Sequence, residues 1–137
     1  MIAKLLVLHY IADFLLQPRE MGQKKSSEPK WLLAHLAIQF AIFAPFTSAW
    51  FALANCAVHG VIDWYIWRGY KLTAYYRIRK DVIAKYGSWT QPPEEDVNIK
   101  AGIASWQYWT DKIFYDTIGF DQLLHGLTLV TLAGWLL

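Results

Sequence analysis

Apolar residues fall in four runs along this chain, and the polar positions inside those runs recur one helical turn apart. The runs lie at 2–17, 31–45 and 48–67 and from Phe120 to the C-terminus, the last extending an amphipathic stretch that begins at Ile99. Helices are predicted over 2–17, 31–45, 48–72 and 99–137. Pro18 ends the first; the second opens at Trp31, with Ser26 or Ser27 near its cap, and Pro45 interrupts it. Two polar segments separate the runs. Residues 18–30 form a basic loop with two prolines. Residues 68–98 begin as a basic, Tyr-rich segment able to continue the third helix and end in a loop broken by Pro92 and Pro93. The chain is long enough for a single domain, 1–137.

Charge placement turns this pattern into a topology. Only 18% of residues are charged, against about 25% in ordinary soluble domains. Nearly all the Lys and Arg sit in 18–30 and 68–100, and the opposite side would carry only Lys4. If four helices cross a bilayer, both basic segments fall on one side, as the positive-inside rule requires. The expected fold class is therefore all-α: a polytopic membrane bundle of about four transmembrane helices with a cytoplasmic amphipathic and loop region. The expected orientation has N- and C-termini outside and the basic loops cytoplasmic. A soluble all-α bundle with an unusually apolar core is the alternative. The first residues, Met1 to Leu8, resemble the start of a signal peptide. His9 and Asp13 break the run and no small-residue cleavage site follows, so it reads as a retained helix. A net charge of +2 implies no nucleic acid as partner, and the single Cys56 excludes an intramolecular disulfide.

The chemistry lies in the histidines. All four sit inside apolar runs, and three have an aspartate four residues away: His9 with Asp13, His59 with Asp63, and Asp121 with His125. Residues at i and i+4 share a helix face, so each pair is a two-ligand unit, and His35 adds a ligand from the second helix. At about 1.5 Å per residue, Asp13, His35 and Asp63 lie roughly 6–8 Å in from the cytoplasmic helix ends, and His9 and His59 roughly 12–14 Å. The order of the pair reverses in the fourth helix, which runs the other way, so the aspartate is the shallower member throughout. An Asp at the centre of a membrane helix costs about 2.5–3.5 kcal/mol, and three together demand a countercharge. No Lys or Arg is expected at that depth. Divalent cations are: one or two ions of a transition metal, Zn or Mn first, held by His9, Asp13, His35, His59, Asp63, Asp121 and His125. Asp63 and Asp121 are the candidates for a catalytic carboxylate. Gln17 and Gln122 are placed to orient a ligand, and Lys24 (or Lys25) to meet a substrate phosphate.

These residues resemble a known family. His9-Tyr-Ile-Ala-Asp13-Phe-Leu-Leu-Gln17, then Lys24 or Lys25, then Leu-Leu-Ala-His35, then His59-Gly-Val-Ile-Asp63 and Asp121-Gln-Leu-Leu-His125 look like domain of unknown function family 3307, short membrane proteins of bacteria and their phages. The resemblance covers almost the whole chain and implies an integral membrane protein, located in the bacterial inner membrane, without an established reaction. A looser likeness is to predicted membrane-bound metal-dependent hydrolases. The expected function is a membrane-embedded, metal-dependent hydrolase acting on a phosphate or ester at the cytoplasmic leaflet, with the bilayer and an anionic lipid or phosphate substrate as partners. Alternatives are a metal-ion or proton transporter, and a non-enzymatic membrane effector with a structural metal. Bis-His haem suits a site with three carboxylates poorly.

Overall fold

A computed structural model of the chain describes residues 1–87, 97–98, 103–104 and 112–137. It is an all-α bundle. The elements are α1 (Ile2–Tyr10) with a π-helical turn at Ile11–Leu15, α2 (Arg19–Lys24), α3 (Pro29–Phe43) with a 3₁₀ turn at Ala44–Phe46, α4 (Ala49–Tyr86) and α5 (Lys112–Leu136). A two-residue antiparallel ladder pairs β1 (Val97–Asn98) with β2 (Ile103–Ala104).

Local chemistry explains the boundaries. Pro18, which lacks an N–H and fixes φ, stops the first helix and caps α2. Pro29 takes the first position of α3, where its missing N–H is harmless. The Ser48 hydroxyl accepts the Phe51 N–H at 3.1 Å to start α4. Gly87, at φ 75°, ends that helix in the left-handed conformation open to glycine. The first helix differs from the expected 2–17. After Tyr10 its hydrogen bonding slips by one residue, with the Leu16 N–H reaching the Ile11 carbonyl at 3.0 Å. Such π turns recur at functional sites, and this one carries Asp13. The third helix runs on to Tyr86, through the basic segment. The fourth does not start at 99: residues 103–104 are extended, and α5 begins at Lys112. Pro92, Pro93 and Asp111 lie outside the described residues.

The long helices alternate in direction, and α1–α3, α3–α4, α4–α5 and α5–α1 all pack together, closing a ring. Gly60 permits the close approach of α3 to α4: a Cβ there would stand 3.0 Å from Leu36 Cδ1. One end of the ring is filled with hydrocarbon: Leu5, Leu8, Phe43, Phe51, Ala52, Leu129 and Ala133. Toward the other end the interior turns polar. His9, Asp13, Lys25, Ser26, His35, Gln39, Asn55, His59, Asp63, Asp121 and His125 are all buried. The exterior is the reverse, with Leu33, Trp50, Val61, Leu123, Leu127 and Trp135 among the exposed side chains. This is the opposite of the usual soluble arrangement.

Among the described residues, no helix is both long enough and apolar enough to cross a membrane. The fifteen residues of α3 rise about 22 Å, against about 30 Å of bilayer hydrocarbon. In every long helix the inward polar residues also lower the mean hydropathy.

Candidate metal centre

Four helices deliver the seven His and Asp side chains to one buried cluster. His9 comes from the last turn of α1 and Asp13 from the π turn; His35 comes from α3, His59 and Asp63 from α4, and Asp121 and His125 from α5. The imidazoles pack on one another, with His59 and His125 stacked at 4.0 Å between centroids and His9 and His125 at 4.9 Å.

At the centre, His35 Nε2 and His59 Nε2 are 2.9 Å apart. Asp13 Oδ1 lies 3.2 Å from the first and 3.3 Å from the second. Asp63 Oδ2, in turn, is 3.3 Å from His35 Nε2 and 3.2 Å from His59 Nε2. These atoms form two triangles that share the His35–His59 edge. Ligands bound to zinc at about 2.0–2.1 Å in a tetrahedron are about 3.3 Å apart, so each triangle has nearly the dimensions of one tetrahedral face. Donor atoms that could share an ion within 4.8 Å of one another form three overlapping groups: His9–Asp13–His59, His35–His59–Asp63, and Asp13–Asp121–His125. His59 and Asp13 each belong to two.

Buried polar atoms without hydrogen bonds mark the same place. Both Asp63 carboxylate oxygens, Asp121 Oδ1, His125 Nε2 and the Nδ1 atoms of His35 and His59 have none. Such atoms are rare in folded proteins and need a partner such as an ion or water. The donor set, imidazole and carboxylate, fits a borderline divalent metal.

Two further polar residues complete the cluster: Gln39, which sequence reasoning passed over, and Lys25, which it placed only at the mouth of the site. Gln39, fully buried, donates its Nε2–H to Asp13 Oδ1 at 2.5 Å and stands 3.3 Å from His59 Nε2. Lys25 is 3% exposed, and its Nζ lies 2.8 Å from Asp63 Oδ1 and 3.4 Å from His35 Nε2. Its contact with Asp63 is an ion pair by distance, although not aligned as a hydrogen bond. The expectation that no Lys reaches this depth is therefore corrected. The reason is local: after α2 the chain turns inward, so a loop lysine points down the bundle axis. Lys24, the residue expected to meet the substrate, instead holds its ammonium 5.9 Å from the Trp31 ring centre, away from the cluster.

The remaining expected residues divide. Gln122 joins two ligand pairs, with Oε1 3.2 Å from His9 Nε2 and its Nε2–H donated to Asp121 Oδ2 at 3.2 Å. Gln17 touches no ligand and lines a neighbouring cavity of about 240 Å³, against which Gly22 leaves it room. Asp13, Lys25, Asp121 and Gln122 also line that cavity and join it to the cluster. Asp63 does not line it. Asp116 is exposed on α5, apart from the cluster.

A ring of helices closed around a His/Asp cluster, with one lysine and a cavity at its polar end, defines a candidate metal protein. The chain belongs to the family described as "Protein of unknown function (DUF3307)", whose model matches residues 1–75. The match takes in His9 through Asp63 together with Lys25 and Gln39, and is shorter than the expected near-complete resemblance. Asp121 and His125 lie beyond it and join the cluster through the fold. No curated protein and no solved structure matches the chain.

Proposed function

We propose that this chain is a bilayer-embedded metal protein that hydrolyses a phosphate or ester substrate at the cytoplasmic leaflet. The observation that carries the reading is the convergence of seven His and Asp side chains from four helices beside an open cavity. His35, His59, Asp13 and Asp63 would hold the ion, with His9 and the Asp121–His125 pair around it. A divalent ion there supplies Lewis-acid polarisation of a carbonyl or phosphoryl oxygen. Of the two carboxylates considered for the base, Asp121 faces the cavity and can take a proton from an entering water. Gln122 holds its second oxygen. Asp63, away from the cavity and beside Lys25, is assigned as a ligand only. The apolar plug of Leu5, Phe43, Phe51 and Leu129 closes the far end of the bundle, which speaks against a conducting path and so against the transporter reading.

The inside-out distribution of side chains supports the bilayer. So does the meeting of the two basic segments at one end, where Arg68 Nε–H donates to the Ser26 carbonyl at 2.9 Å and Lys71 Nζ–H to the Gln23 carbonyl at 2.8 Å. In this reading the embedded part of α4 is 49–67, the helices are short, and the bilayer thins to meet them. The expected result is that the protein stays in the membrane pellet after an alkaline carbonate wash of bacterial membranes. Release into the supernatant as a dispersed species would sink the embedded reading.

Elemental analysis of the detergent-purified protein tests the metal. One equivalent of a transition metal is expected in the wild type, and none in an Asp13→Ala/His125→Ala double variant. A folded wild type that takes up neither Zn nor Mn on reloading would reduce the cluster to a hydrogen-bonded polar core.

A further inference from the structure

The cavity beside the cluster has two unlike halves. Arg19, Lys25 and Lys71 bring positive charge to it. Trp67, Tyr70 and Phe114, which also line it, form a joined aromatic wall, with ring centroids 5.8 Å apart for Trp67–Tyr70, 6.1 Å for Trp67–Phe114 and 5.8 Å for Tyr70–Phe114. This wall ties α4 to α5. Phe14 also lines the cavity and is 48% exposed, so the apolar lining continues onto the apolar exterior.

Each half selects a different part of a ligand. These three cations outnumber the Asp13 and Asp121 carboxylates that also line the cavity and that the proposed metal site engages; the excess favours an anion, and phosphate matches Arg and Lys donors. Lys71 points the same way: burial, with the Arg68 guanidinium nearby, pushes its amine down to about 8, and an anion beside it would raise it again. The aromatic wall has no use for a small hydrophilic anion. At about 240 Å³ the space is also smaller than the roughly 300–1,000 Å³ of sites that enclose a whole drug-sized ligand. It has room for a phosphate group and the carbons next to it, not for a long chain.

We propose that the cavity binds the head of a phosphate-bearing lipid, its phosphate among Arg19, Lys25 and Lys71 and its first carbons along Trp67, Tyr70 and Phe114. The rest of the chain leaves past Phe14 into the bilayer. This rests on the embedded metal-site reading and names the substrate class for it. The phosphate would then stand near Asp121 and Gln122, which also line the cavity, next to the proposed metal ligands. A water-soluble phosphate ester shares the cationic half of this recognition and lacks the other.

The test is equilibrium binding to the full chain, purified in a neutral detergent and loaded with manganese. The probes are dioleoyl phosphatidic acid, dioleoyl phosphatidylcholine and glycerol 3-phosphate, with metal content measured on every sample. Phosphatidic acid is expected to bind at least about tenfold more tightly than either of the others, as charge-assisted hydrogen bonds to phosphate imply. Arg19→Gln and Lys71→Gln should each remove much of the advantage over phosphatidylcholine. Phe114→Ala should remove much of that over glycerol 3-phosphate. All three should keep the wild-type metal content, which also reports that they are folded. Equal binding of the two lipids would overturn phosphate recognition. Glycerol 3-phosphate binding as tightly as phosphatidic acid would overturn the lipid in favour of a soluble ester. Selectivity unchanged in all three variants would place the lipid elsewhere. A protein without metal that still selects phosphatidic acid through these residues would sink the metal reading and leave the lipid site standing.

Discussion

Replacing His59 by alanine is expected to abolish metal binding, with a larger loss than any other single histidine produces. His59 Nε2 lies within 3.3 Å of His35 Nε2, Asp13 Oδ1, Asp63 Oδ2 and Gln39 Nε2, and it belongs to two of the three candidate ligand groups. His9 and His35 belong to one each. Removing a group that merely orients a ligand typically weakens metal binding by about 10–100-fold, so losing the shared ligand should exceed about a hundredfold. The fold should suffer as well, because Asp13 and Asp63 would then face each other with less to separate their charges. Leaving a buried polar group without its partner costs about 1–3 kcal/mol, and more for a charged one, so a thermal midpoint below that of the wild type should accompany the metal loss. Metal titration by calorimetry, alongside thermal denaturation in the same detergent, measures both. A His59→Ala protein that bound manganese as tightly as His9→Ala would remove His59 from the centre of the site.

The polar interior and the apolar exterior have one physical origin. A buried carboxylate is tolerated only when charge and hydrogen bonds surround it, so these helices can assemble only with their polar faces turned inward together. Apart from Lys4 and occasional Gly and Thr, the outer faces of 2–16, 31–46, 49–67 and 120–137 are then left apolar, which is the feature on which the proposed bilayer setting rests. The hydrocarbon plug at Phe43 and Phe51 and the charged cluster at Asp13 and Asp63 are two ends of one bundle.

The cluster was legible in the sequence because helical periodicity does not depend on tertiary detail. His9 and Asp13, His59 and Asp63, and Asp121 and His125 each lie one turn apart, and one turn apart means one face. The same spacing relates His35 to Gln39 and Asn55 to His59. Both amides are buried, and a neutral amide in an apolar run is a weaker signal than a His/Asp pair because it carries no charge that demands a partner. Other features were not written in the period. Whether Lys24 or Lys25 turns inward depends on the backbone just past the end of α2, where Lys25 is the capping residue. The slip into a π turn at Ile11–Leu15, which carries Asp13, has no local signature in an apolar run. A continuous helix from Ile99 failed because amphipathic spacing over 99–111 is compatible with extended structure too, and β2 occupies 103–104.

Replacing Lys25 by methionine is expected to change how many ions the site holds. Three carboxylates converge here, Asp13, Asp63 and Asp121, and the Lys25 ammonium is the one fixed positive charge among the cluster's described residues, 2.8 Å from Asp63 Oδ1. Ligating histidines are neutral. Three carboxylates and one ammonium leave two negative charges, which a single dication cancels. Two dications would leave the buried cluster doubly positive, a state that low-dielectric surroundings penalise heavily. The wild type is therefore expected to bind one metal ion, although its seven donors exceed the four a single zinc needs. Without the ammonium, one dication leaves one negative charge and two leave one positive charge, so a second ion becomes acceptable where Nζ had been. Lys25→Met, which keeps the length and apolar stem of the side chain, should bind close to two equivalents at saturating manganese. At low metal it should lose roughly 3–5 kcal/mol of stability, the usual consequence of stranding one partner of a buried ion pair. Stoichiometry by elemental analysis and thermal midpoint against manganese concentration read the two effects separately. One equivalent in both proteins, with no metal-dependent rescue of the variant, would show that Lys25 serves only to pair Asp63. Two equivalents already in the wild type would mean that the ammonium does not occupy a cation position at all.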